Sequence, residues 1–120
     1  MKAHESWKWY GYAGHFIGSR SCAYHLATRV GNYLISTVGH YTPAGRQVVP
    51  LGADDDSFFE TMVFPCDGED ALDNPNITSW SELDRRHYAD SRTAERGHYE
   101  MCWKYSNMAP EIVPSAIPEA

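Results

Sequence analysis

Cys22-Ala-Tyr-His-Leu-Ala-Thr-Arg-Val30, Gly31-Asn32, Tyr33-Leu-Ile-Ser-Thr-Val-Gly-His-Tyr41 is the stretch on which the fold turns. Two runs rich in β-branched and aromatic residues flank a two-residue connection, the arrangement of a tight β-hairpin. Gly31 at the first turn position supplies the positive φ that a type II′ turn requires, and Asn32 suits the second. A two-residue turn fixes register, pairing Val30 with Tyr33, Thr28 with Ile35, Leu26 with Thr37 and Tyr24 with Gly39. Tyr24, Leu26, Thr28, Val30, Tyr33, Ile35 and Thr37 then share the expected core face. Ala23, His25, Ala27, Arg29, Leu34, Ser36, Val38 and His40 share the other.

Working outward, Ala13–Ile17 reads as a short strand and Gly18–Ser21 as a turn. Ser57–Phe64 reads as a further strand stopped by Pro65, since proline cannot donate to a ladder. Cys66–Asn76 reads as an acidic loop, and Ile77–Leu83 as a last short strand holding Trp80. Thr93–Ser106 has helical spacing of Ala94, Gly97, Met101 and Tyr105, with Asp90 or Ser91 as cap and Glu100 and Lys104 as an outward i,i+4 pair. Gly97 inside a helix costs about 1 kcal/mol relative to alanine, which points to a close approach of helix and sheet. Residues 108–120 carry three prolines and are expected to be extended or disordered. The expectation is one α+β domain over residues 1–107. It has a small antiparallel sheet of four or five strands and one C-terminal helix, about 93–106, packed on one face.

The 120 residues suit a single domain, with 42% hydrophobic and 13% aromatic residues. A net charge of −6 argues against general nucleic-acid binding, which needs a basic field to displace counterions. No apolar run approaches the ~20 residues that cross a bilayer. Three cysteines, an odd number, without an apolar leader suggest reduced thiols in a cytosol.

Two constellations carry candidate chemistry. Cys22-x-x-His25 and His98-x-x-x-Cys102 offer four zinc ligands of suitable softness, the second pair one helical turn apart. Against this, residues three apart on a strand face opposite ways, and small buried cysteines beside hydrogen-bonded histidines give the same pattern. The chain is therefore expected to need no cofactor, with zinc as the alternative. The second constellation is His25, Arg29, Ser36 and His40, which share a hairpin face among small residues and suit an anionic ligand such as a nucleotide. Its structural counterpart is that the helix covers this face, with Gly97 against Ala27. No nucleophile elbow or paired catalytic carboxylates stand out.

Gly14-His-Phe-Ile17, Cys22-x-x-His-Leu-x-Thr-x-Val-Gly-x-Tyr-Leu-x-Ser-Thr-Val-Gly-x-Tyr41, Glu60-Thr-Met-Val-Phe64 and Arg96-Gly-His-x-x-x-Cys102 resemble a family of small proteins of tailed bacteriophages, mainly those of actinobacteria. The resemblance covers most of residues 9–106. It implies an accessory role in the host cell cytoplasm and brings no activity with it. The expected function is binding without catalysis, either of a host protein or of a small anionic or nucleotide ligand. A zinc-stabilised interaction domain and a small histidine-dependent hydrolase or nuclease are the alternatives. Oligomeric state is left open.

Overall fold

A computed structural model describes residues 6–10, 22–42, 47–51 and 56–116, with side chains to Met108. The expected strand at Ala13–Ile17 and the turn at Gly18–Ser21 lie outside the described residues. Six strands and one helix follow in the order β1 (Lys8–Tyr10), β2 (Cys22–Val30), β3 (Tyr33–Tyr41), β4 (Phe59–Glu69), β5 (Pro75–Ile77), β6 (Asp84–Tyr88) and α1 (Ser91–Ala116). The strands form one curled antiparallel sheet in the order β1-β2-β3-β4, with β5 and β6 both pairing β4. The fold is α+β.

The hairpin forms as its turn chemistry dictates. Gly31 has φ 61°, Asn32 stays at negative φ, and the register is Val30↔Tyr33, Thr28↔Ile35, Leu26↔Thr37 and Tyr24↔Gly39. The helix lies on the expected core face, over Val30, Tyr33, Ile35 and Val63, through Met101, Cys102 and Tyr105. The other face is buried too. Ala27, Leu34 and Cys66 form an apolar cluster there with Tyr10 and Ile77 against it, and Val38 packs with Cys22, Tyr41 and Leu51. β3 is consequently covered on both sides.

Strand β4 does not stop at Pro65. The Pro65 carbonyl still accepts from Thr78 at 3.0 Å, and the next amide, Cys66, donates to Asn32 at 2.8 Å. Only the imino nitrogen leaves the ladder, at the point where β4 exchanges β3 for β5 as partner. The single strand expected over Ile77–Leu83 is instead the end of β5, a connection and the approach to β6, with Trp80 62% exposed between them. β6 reads Asp-Arg-Arg-His-Tyr because it is an edge strand, where charge discourages further pairing.

Asp90 caps α1, its Oδ1 accepting from the Thr93 amide at 2.8 Å. That interaction holds the Asp90 carboxyl below its ordinary pKa. Asp90→Ala should cost about 1 kcal/mol in chemical denaturation, the usual loss for an N-cap. The helix continues through Pro110 and Pro114 to Ala116 rather than yielding to an extended tail after Asn107. The expected Glu100–Lys104 pair is absent. Glu100 binds Arg86 at 3.1 Å and Lys104 binds Asp84 at 2.6 Å, so both tie the helix to β6. No helix among the described residues is long and apolar enough to cross a membrane.

Candidate functional site

The zinc quartet is not brought together. His98, fully buried, has both ring nitrogens engaged, Nε2 with Thr28 Oγ1 at 2.9 Å and Nδ1 with Thr37 Oγ1 at 2.7 Å. Cys102 lies beside it in the main core, Cys22 packs with Val38, and His25 is exposed. Among the described residues no three histidines, cysteines or acids are placed to hold a metal. Burial pushes the Cys66 thiol to about 11 and Cys102 to about 12, and raises Cys22 as well. At neutral pH all three are protonated, which removes them as nucleophiles.

His98 is the centre of a buried polar chain. Tyr88 Oη donates to Thr61 Oγ1 at 3.0 Å, and Thr61 lies 2.6 Å from Thr37. The direction that satisfies every member runs Tyr88 to Thr61 to Thr37 to His98 Nδ1, with Nε2–H donated to Thr28 and the Thr28 hydroxyl given to Cys102. This assigns the Nε2–H tautomer by hydrogen-bond satisfaction. Loss of water around the ring drives the His98 pKa down to about 3, so the imidazole is neutral. Gly97 makes room for the chain's first member. A Cβ there would sit 2.2 Å from Tyr88 Cε1 and 2.4 Å from its hydroxyl. The close approach expected at Gly97 is thus to Tyr88 of β6, not to Ala27.

The second constellation is also dispersed. Ser36 is fully buried. Arg29 is occupied, with Nε donating to Tyr10 Oη at 3.3 Å and Nη1 to the Gly31 carbonyl at 3.2 Å. His40 breaks the strand alternation with φ 51° and lays its ring against Phe59, 5.1 Å between centroids. Phe59 itself fills the space over Gly39, on the core face, so His40 leaves the face assigned to it by alternation. Of the four, His25 and His40 are exposed, His40 off the face expected for it.

The outer face of α1 carries what the sequence reading passed over. Arg92, Glu95, Arg96 and Tyr99 line an open groove of about 300 Å³. At i,i+4 spacing they form two adjacent rows, Arg92–Arg96 and Glu95–Tyr99, each one helical turn apart. Tyr99 is braced from behind by Trp9 at 5.7 Å and Trp7 at 6.4 Å between ring centroids. Every other cation among the described residues has a partner. Lys8 binds Glu69, Arg29 binds Tyr10, Arg85 binds Glu82, Arg86 binds Glu100 and Lys104 binds Asp84. Among the described residues neither the Arg92 nor the Arg96 guanidinium has an ion pair or a side-chain hydrogen bond; Arg92 acts on Asp90 through its backbone amide, which donates to the cap carboxylate, and through its charge. Glu100, the acid Arg96 could reach at i+4, is taken by Arg86.

This arrangement is locally unfavourable. Like charges at i,i+4 cost about 0.2–0.5 kcal/mol in a helix. The first turn of α1 holds no acid, and Arg92 stands at the end where the helix dipole favours negative charge. Two guanidiniums left open in a chain of net charge −6 are a ready receptor for an anion. The sequence signal was there, in Arg92 and Arg96 on one stripe with Tyr99, but their lack of partners is visible only once β6 has claimed Glu100.

No protein-family model, curated protein or solved structure matches the chain. The reading of function therefore rests on the chemistry of the site.

Proposed function

We propose that the chain is a non-enzymatic binding protein whose α1 groove captures an anionic ligand between Arg92 and Arg96. The observation that carries this is the unpaired state of these two guanidiniums, while the other described cations are all engaged. The groove is open to solvent along one face of α1 and presents the two guanidiniums together to a ligand. Thiols held protonated by burial and a neutral, enclosed His98 support binding over hydrolysis that would use these groups. In the setting implied by the phage-like motifs, the protein acts in the host cytoplasm by sequestering its ligand.

Inorganic tripolyphosphate titrated calorimetrically into the full chain tests this. Arg92→Ala with Arg96→Ala should weaken binding at least tenfold. The same double change should leave the fold intact and raise stability by up to about 0.5 kcal/mol, since it removes like-charge repulsion. Unchanged affinity in the double variant, or no binding of any anion by the native chain, refutes the proposal.

A further inference from the structure

The groove holds an acid as well as two bases, and a bare anion has no use for Glu95. Its carboxylate lines the groove beside Arg92 and Arg96 and would repel phosphate. A ligand that fits all four side chains must be anionic at one end. At the other it must present N–H donors on a flat ring. The two rows separate these demands, with Arg92–Arg96 for the charge and Glu95–Tyr99 for the ring.

We infer that the occupant is a guanine nucleotide, an inference that rests on reading the groove as an anion site. Guanidiniums bind phosphate oxygens in a bidentate fork, and two of them one turn apart span neighbouring phosphates. A base stacks on an aromatic face, and Tyr99 is held in place by Trp7 and Trp9 and is only partly covered. A carboxylate accepts and never donates, so it matches the N1–H and 2-amino donors that guanine presents side by side. Adenine offers an acceptor at N1 next to its amino group and meets the same carboxylate with a lone pair. Glu95 is thus the specificity residue, attractive toward one base and repulsive toward the other.

The experiment compares GTP, ATP and tripolyphosphate by calorimetry on the full chain, its Glu95→Gln variant and the Arg92→Ala, Arg96→Ala double variant. The expected result is GTP at least tenfold tighter than ATP and than tripolyphosphate. Glu95→Gln should remove the advantage over ATP and leave tripolyphosphate binding equal or tighter. Arginine removal should weaken all three. If GTP binds no tighter than tripolyphosphate, or if the preference survives Glu95→Gln, the guanine inference is overturned while the anion site stands. If none of the three binds, the anion site falls and the inference with it. Glu95, Arg92 and Arg96 are exposed, and unchanged circular dichroism of each variant separates loss of binding from loss of fold.

Discussion

Replacing His98 with leucine should flatten the response of stability to acid between about pH 6.5 and pH 4.5. In the native chain His98 is held neutral, with its pKa lowered from 6.5 to about 3 by burial, while in the unfolded chain it titrates normally. Between those two values the unfolded state binds one more proton than the folded state. Stability therefore falls with pH, by about 1.4 kcal/mol per unit below about 6.5, and levels off near 3. His98→Leu removes that proton from both states. At pH 7 it should cost about 1–3 kcal/mol, because the Thr28 and Thr37 hydroxyls lose their partner in a dry core. The two curves should accordingly converge near pH 5. Urea midpoints across the range measure this, and parallel slopes for both proteins would show that His98 is not the acid-sensitive group. Below about pH 4 the carboxylates of Glu69, Asp84 and Asp90, all held low by their partners, add a loss common to both proteins.

Gly97→Ala should destabilise the protein by about 1–3 kcal/mol, against a helix preference that favours alanine by about 1 kcal/mol. The Cβ would lie 2.2 Å from the ring of Tyr88, which is fixed by its bond to Thr61 and by Ala94 and Phe59 around it. The helix must then lift or the tyrosine must leave, and either breaks the chain that runs through His98. Tyr88→Ala should reverse the sign. On that background Gly97→Ala should be neutral or stabilising, since only the propensity difference remains. A double-mutant cycle gives the coupling directly, and additive effects would place Gly97 out of contact with Tyr88.

The hairpin was legible because its determinants are local. Gly-Asn between two β-rich runs fixes the turn, the register and which side of β2 and β3 meets the helix. Gly97 was legible as a close contact, but its partner was not, since Tyr88 lies on a strand too polar to be recognised. β6 owes its place to β4 and to the pairing of Arg86 and Asp84 with the helix, all distant in sequence. Pro65 misled because the rule against proline in a strand concerns its missing donor, and the chain put that nitrogen where β4 changes partners. His40 misled because face assignment assumes alternation, which a residue at φ 51° abandons. The hairpin carries residue types suited to an anion, with His25 and His40 exposed, but the set is incomplete. Ser36 and Arg29 were already committed to burial and to bonds. The open guanidinium of Arg96 shows only once β6 has taken Glu100.

β3 has a strand along both edges and cover on both faces. Its amides therefore have no local route to solvent. In a deuterium-labelling experiment they exchange only when the whole molecule opens, while those of β1 and β6, each paired along one side among the described residues, are released by partial fraying. The slowest peptides of the chain will come from Leu34–Val38, and their rate is a direct reading of the global unfolding free energy. A ligand seated on the outer face of α1 would slow them by the full extent of its binding free energy, although it touches none of them.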